Sequence, residues 1–249
     1  YECNHIKNPK IPSFIFPNSA DKLWFDTAPN ERLPKAPKRI AVISNHIAQE
    51  LLDFKAISDE VCCVDCYGYE GRSVEITPSL ITSYDLVISI GRTVPLCFAA
   101  RIPVYCYDIH GGPGYINPDT IECDSFFNFS GRSNPRKRSA SELFNDIVSN
   151  YENAASHLDA MRQFAYEHFN FTSNFEKLYR TIIAAKPMPT RTDSTCCAEL
   201  TKINRRNQCE AFIDSYSKAL GTAQLFSLPT ENPPVRQTQL PSNTAIIQK

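Results

Sequence analysis

Five short apolar runs constrain this chain more than any other feature: RIAVISN (39–45), VCCVDC (61–66), YDLVISIG (84–91), PVYCYD (103–108) and FFNFSG (126–131). Each run is continuous rather than alternating. A strand solvated on one face shows polar residues at every second position, whereas an unbroken apolar run needs cover on both faces. Between the runs, HIAQELLDFKAI and TVPLCFAAR are long enough for short crossover helices. Strand, helix, strand in repetition predicts an α/β fold, a Rossmann-like parallel sheet with helices on both faces and right-handed crossovers. At 249 residues and 42% hydrophobic, the chain has enough apolar material for one substantial core.

The domain predicted from these runs spans 39–185. Ahead of it, residues 1–38 are rich in proline and hold the lone Trp24, so they read as an extended lead-in or hinge from an N-terminal half. After the last strand, Ser139-x-x-Glu142 and Ser173-x-x-Glu176 each have the spacing of a capping box, and HLDAMRQFAYEHF between them predicts a further helix. Residues 186–222 read as a linker and an appended helix, with 196–220 as a candidate oligomer contact. The Pro, Gln, Asn and Thr of 223–249 predict a flexible tail.

Charge gives no global direction. Lys and Arg total 26 against 27 Asp and Glu, so nucleic acid is not expected as a partner and charged recognition must be local. No apolar stretch is long enough for a membrane span and no leader pattern opens the chain, which predicts a cytoplasmic protein, with peripheral placement at the inner face of a membrane as the second location. Cys63 and Cys66 form a C-x-x-C, but no second ligand pair stands at zinc spacing, so they read as strand-end thiols and no metal or cofactor is expected.

In an open parallel sheet, ligands bind outside the carboxyl ends of the strands. Gly91, Arg92 and Thr93 end the third run and open a helix, a place suited to phosphate through backbone N–H groups, a guanidinium and a hydroxyl. The stretch Asp108 to Tyr115 follows the fourth run as a predicted loop, with Gly111, Gly112 and Gly114 allowing close backbone approach, Asp108 orienting a hydroxyl and Tyr115 stacking on a base or sugar. Asn128, Ser130, Gly131 and Arg132 end the fifth run, with the basic Arg136, Lys137 and Arg138 beyond. Ser44, Asn45 and His46, at the end of the first run, are the fourth contributor. No catalytic base is assigned.

Three phrases carry a resemblance: IFPNSADKLWF (15–25), GRTVPLCFAARIPVYCYD (91–108) and AYEHFNFTSNFEKLYRTI (165–182). In order and spacing they look like the hinge, the donor-site helix and strand, and the terminal helices of the C-terminal, donor-binding half of a GT-B glycosyltransferase of the family 4 type. VYCYDIHGGPGYI with NFSGR also resembles a bacterial subgroup that assembles surface polysaccharides. The resemblance covers residues 12 to 185. It implies a nucleotide-diphospho-sugar as donor substrate, a glycan or lipid-linked acceptor, no required metal, and an N-terminal half or partner chain that holds the acceptor. Two positions depart from the pattern. Leu96 stands where the family has a Glu that holds the ribose, and Arg101 replaces a Gly two residues before Pro103. Either Asp108 or Asn128 then supplies the ribose contact, or the chain is a non-catalytic scaffold derived from such a half.

Overall fold

The computed structural model describes residues 14–27, 33–68 and 73–184. All of them belong to the unit Tyr1–Lys186. The appended helix predicted within 196–220 and the tail at 223–249 lie outside the described residues.

In chain order the elements are α1 (Lys22–Asp26), β1 (Arg39–Ile43), α2 (Gln49–Ser58), β2 (Cys63–Tyr67), α3 (Pro78–Ile81), β3 (Leu86–Ser89), α4 (Thr93–Ala99), β4 (Val104–Asp108), β5 (Gly111–Tyr115), α5 (Ile121–Phe126), α6 (Ala140–Ser156), α7 (Leu158–His168) and α8 (Phe171–Ala184). They form the predicted α/β, Rossmann-like fold. The sheet order is β2-β1-β3-β4-β5, parallel from β2 through β4, with β5 antiparallel on β4. Two hydrophobic clusters, one on each face, account for the unbroken apolar runs. Ala41, Ile43, Val104 and Cys106 face a cluster shared with α1, α4 and α7, while Ile40, Val42, Tyr105 and Tyr107 face one shared with α2 and α6. Neighbouring strand residues point to opposite faces, so both alternating sets must be apolar when both faces are covered. In β2 the same alternation sends Cys63 and Cys66, three positions apart, to opposite faces, and they cannot form a ligand pair.

Two expectations fail here. FFNFSG is not a strand. Its start closes α5, and Asn128, Phe129 and Gly131 then take left-handed φ values of 54°, 51° and 78°, which no strand accommodates. Phe129 is buried between Phe98 and Phe169, at centroid distances of 6.0 and 5.5 Å, so packing of its ring holds the turn in this unfavourable conformation. The run looked strand-like because its aromatics are apolar, but they serve a turn. Conversely, the predicted loop 111–115 is the edge strand β5. Asp108 pairs with Gly111 across a two-residue turn, and a register irregularity follows between Cys106 and Asp108.

Why a glycine-rich stretch becomes a strand follows from close packing of backbone. A Cβ on Gly112 would lie 2.1 Å from the Cys106 carbonyl oxygen. The outer edge of β5 is closed by the basic segment: Gly112 N–H donates to the Arg136 carbonyl at 3.1 Å, and Arg138 Nη1 and Nη2 donate to the carbonyls of Gly112 and Pro113 at 2.7 and 3.3 Å. An exposed sheet edge is thereby covered.

At the amino-terminal side, the lead-in is not uniformly extended. Asp21 caps α1 by accepting from Leu23 N–H, and Trp24 and Phe25 bury against the body of the domain. Ala20 is stitched to the terminal helices, donating to the Phe169 carbonyl at 2.8 Å and accepting from Phe171 N–H at 2.9 Å. Of the two capping boxes, Ser139 and Glu142 form theirs reciprocally. The second does not form, because α8 begins at Phe171 and Asn170 is the residue that accepts from Ser173 N–H, at 3.1 Å. Among the described residues no helix is long and apolar enough to cross a membrane.

Candidate functional site

From β1 the chain crosses to β2 on one side, then returns past β1 to β3 on the other. The sheet therefore reverses direction between β1 and β3, and the connections leave a crevice at their carboxyl ends. A cavity of about 1080 Å³ occupies that crevice. Its wall is drawn from the ends of all four parallel strands, with Ser130 and Arg132 from the turn after α5.

The rim from β1 is a small built turn. Ser44 Oγ donates to the His46 carbonyl at 2.8 Å and accepts from His46 N–H at 3.1 Å, which presents Asn45 and His46 to the cavity. At the floor, buried Ser89 Oγ donates to the Ile43 carbonyl at 2.7 Å and ties the ends of β3 and β1 together. From β2, Tyr67 lends its ring to the wall. Its hydroxyl meets that of Tyr84 at 2.5 Å, and Tyr84 in turn donates to Asp65 at 2.8 Å. Burial first, then the hydrogen bonds to Tyr67 and Asp65, push the Tyr84 phenol well above its ordinary range.

Beyond β3 the backbone turns at Gly91, whose φ is 62°, and Gly91 N–H donates to the Phe129 carbonyl at 2.9 Å. That bond couples the β3 turn to the left-handed turn carrying Ser130. The helix that follows differs from expectation. Pro95 has no N–H, Val94 N–H donates to the Gly91 carbonyl at 3.2 Å, and α4 is only 7 residues long, so its amino end offers little backbone to an anion. Thr93 is the first helical residue rather than the cap, a position held by Arg92. The cavity instead receives a whole side-chain charge. Arg92 is exposed on the wall and forms no ion pair with any described residue.

Asp108 closes β4 with its side chain buried to 8% exposure. Oδ1 accepts from His110 N–H at 2.7 Å, which holds the β4–β5 turn, while the other carboxyl oxygen makes no hydrogen bond within the described residues. Ser130 Oγ, at the cavity wall, is buried and has no hydrogen-bond partner among the described residues.

The cavity thus brings together Asn45, Gly91, Arg92, Thr93, Asp108, Ser130 and Arg132. Six other candidates stand apart from it. Gly111, Gly112 and Gly114 pack backbone within β5. Tyr115 lies edge-on to Tyr105 at 5.1 Å and donates to the Ile147 carbonyl at 3.0 Å, so it is not a stacking platform for a ligand. Asn128 accepts from Asn18 Nδ2 at 2.9 Å, and Gly131 is buried in its turn. The basic run does not face the cavity either. Arg136 lies 3.9 Å from Glu142, Lys137 3.8 Å from Glu50, and Arg138 Nε 3.3 Å from Asp146. Leu96 is packed in the core and not on the cavity wall, so α4 turns no residue at that position toward a ligand.

Tyr67, Gly68, Ser73, Val74 and Ser89 also line the wall without having been singled out, and His46 and His110 join it from the expected strand ends. The rule that placed the others, attention to strand carboxyl ends, would have found Tyr67-Gly68 and Ser89 as well. The segment 73–76 had no sequence signal. Among the described residues no group of three or more His, Cys, Asp or Glu is placed to hold a metal ion. No protein-family model matches the chain, and no curated protein matches it in sequence.

Proposed function

We propose that the cavity between the β1 and β3 ends receives the diphosphate of a nucleotide-diphospho-sugar, and that this unit is the donor-binding part of a glycosyltransferase acting in polysaccharide or glycoconjugate synthesis. The observation that carries this reading is Arg92, an exposed guanidinium without an ion-pair partner among the described residues, set beside the Gly91 turn at the reversal point of the sheet. Guanidinium geometry matches phosphate oxygens two at a time. As the bond between sugar and phosphate breaks, negative charge grows on the leaving diphosphate, and fixed cations already in place stabilise it without reorganising. Arg92 supplies that charge, Arg132 adds to it from the adjoining turn after α5, and Thr93 and Ser130 offer hydroxyls. Arginines carry the neutralising role, so the mechanism does not call for a divalent ion.

Calorimetric titration with UDP, GDP, ADP and TDP tests the reading. One of them binds, and Arg92→Ala weakens it by tenfold or more while leaving the unfolding transition in place. No heat from any of the four sinks the proposal.

A second reading, a non-catalytic scaffold, draws on Leu96: α4 brings no acidic group to the cavity. It gives a protein indifferent to nucleotides and to Arg92→Ala, with a defined oligomer or partner complex by light scattering.

A further inference from the structure

We infer that the left-handed turn at 128–131 presents Ser130 to the ligand, and that its hydroxyl, unpartnered among the described residues, donates to an oxygen of the bound anion. The inference rests on the phosphate reading of the cavity and deepens it, by naming a neutral donor whose removal costs binding and costs the fold nothing.

Two buried side-chain oxygens have no hydrogen-bond partner among the described residues, Ser130 Oγ and Asp124 Oδ2, and both lie in one loop. Asp124 closes that loop twice: its carbonyl accepts from Phe129 N–H at 2.8 Å, and its Oδ1 accepts from the Ser133 hydroxyl. Buried polar groups are paired almost everywhere in folded proteins, so orphans gathered in a single loop mark a segment whose polar groups are not arranged for the resting fold alone. Asp124 is not on the cavity wall, whereas Ser130 is, so Ser130 is the one that a ligand satisfies.

The backbone gives a second, independent sign. Asn128 and Phe129 are adjacent at φ 54° and 51°, and Gly131 follows at 78°. The left-handed region disfavours side chains, and an aromatic one more than an asparagine. Strain of this kind persists only where the surroundings over-determine it, and it gathers at ligand-binding segments. Here the Phe129 ring is buried, and the Phe129 carbonyl accepts from Gly91 N–H at 2.9 Å and from Cys106 Sγ at 3.3 Å. The chain is thus fixed immediately before Ser130. Ser130 itself is half-buried, with Oγ closed off from solvent. Rotation about one side-chain bond turns the hydroxyl toward the cavity, and it breaks no hydrogen bond among the described residues in doing so.

The neighbours set the ligand chemistry. Arg92 and Arg132 stand on the same wall, so the oxygen that meets Ser130 belongs to an anion, and a hydroxyl donating to an anion forms one of the stronger hydrogen bonds. Unlike the arginines the hydroxyl carries no charge, so its removal leaves the salt dependence of binding as it was.

Ser130→Ala is compared with wild type and with Arg92→Ala in two measurements, urea denaturation without ligand and calorimetric titration with inorganic pyrophosphate at low and at high salt. Without ligand, Ser130→Ala unfolds at the wild-type midpoint or above it, because an unpaired buried hydroxyl has been removed. Its affinity for pyrophosphate falls tenfold or more, by the same factor at both salt concentrations, whereas the loss in Arg92→Ala shrinks at high salt. A lowered midpoint overturns the inference, because the hydroxyl then serves the fold, through a buried water for example. Wild-type affinity in Ser130→Ala also overturns it, and leaves the phosphate reading intact where Arg92→Ala has lost binding. So does a loss in Ser130→Ala that shrinks with salt as that of Arg92→Ala does, since the turn then acts by placing Arg132. If wild type takes up no pyrophosphate, both readings fall together.

Discussion

Arg138 Nε lies 3.3 Å from Asp146 Oδ2, and the same carboxyl oxygen accepts from the Tyr105 hydroxyl at 2.6 Å. With the two carbonyl contacts to β5, this places one buried guanidinium between the last strand and α6. Removing it leaves two strand carbonyls short of donors. Asp146 is about a third exposed and keeps the Tyr105 and Asn150 donors, so the loss is set mainly by the two orphaned carbonyls, at about 1–3 kcal/mol. Arg138→Met is expected to lower stability by that order in urea denaturation, and Arg138→Lys nearly as much, because an ammonium cannot fork between two carbonyls and a carboxyl group. A change below about 1 kcal/mol would show that the network adds no net stability.

A backbone feature at the end of α4 ranks two substitutions against each other. Arg101 follows α4 with φ at 61°, the left-handed position that most often holds Gly at a helix end, and Ile102 N–H closes back on the Cys97 carbonyl at 2.9 Å. Its side chain reaches Asp159 of α7, an exposed contact of small value. Truncation to Ala loses that contact and keeps the strain, whereas Gly loses both. Arg101→Gly is therefore expected to be more stable than Arg101→Ala by about 1 kcal/mol, after the extra chain entropy of Gly is set against the relieved left-handed strain. Thermal denaturation of the two variants side by side decides it, and parity would mean the turn is not held as described.

Thiol chemistry separates the cysteines by place. Cys97 and Cys106 are wholly buried, and loss of hydration pushes both thiols far above their ordinary range. Cys63 and Cys123 are exposed. Because the thiolate is the nucleophile, native protein treated with iodoacetamide at pH 8 is expected to be labelled at Cys63 and Cys123 and spared at Cys97 and Cys106. Peptide mass spectrometry reads the pattern. Labelling of Cys106 in folded protein would contradict the tight β4–β5 packing.

The cap of α6 predicts a pH dependence. Glu142 accepts from Ser139 N–H at 2.8 Å and from Ser139 Oγ at 3.0 Å, and these bonds, with Arg136 and Arg138 nearby, hold its carboxyl below the usual value. A depressed folded value contributes stability above the unfolded carboxyl range, near pH 4.5, and that contribution is lost as pH falls through the lower folded value. Wild type is thus expected to melt higher than Glu142→Gln at pH 7, with the gap closing below pH 4. A gap independent of pH would remove the charged hydrogen bond as its cause.

How far the sequence carried the fold depended on the kind of signal. Three of the apolar runs became β1, β3 and β4 because burial on both faces leaves a mark in composition, and a fourth became the half-covered edge strand β2. FFNFSG gave the same mark for a different cause: the ring of Phe129 is buried while its backbone turns. Tertiary packing overrode local pattern there. In the site, Gly91, Arg92, Thr93, Asp108, Ser130, Arg132 and Asn45 were legible because strand ends are countable along a chain. What covers them is not. That Arg138 faces Gly112 while Arg92 faces the cavity is decided by β5, an edge strand with almost no apolar residue to announce it.

Gly91 and Gly112 put that lesson to a direct test, since in sequence they look interchangeable. Gly112 has no room: an added Cβ would sit 2.1 Å from the Cys106 carbonyl oxygen, and the β4 backbone must move to admit it. Gly112→Ala is expected to unfold the β4–β5 pair, with loss of several kcal/mol, well beyond the central ~1 kcal/mol of single substitutions. At Gly91 an added Cβ meets nothing within 4 Å, and the cost is only that of a left-handed φ of 62°, about 1–2 kcal/mol. The methyl group would instead be added at the cavity wall. Gly91→Ala is therefore expected to fold with a modestly lowered midpoint and to lose affinity for the diphosphate by tenfold or more, because the added methyl group takes up cavity space beside Arg92. A folded Gly91→Ala that binds nucleotide as wild type does would move the phosphate away from the Gly91 turn, and with it the role given to Arg92.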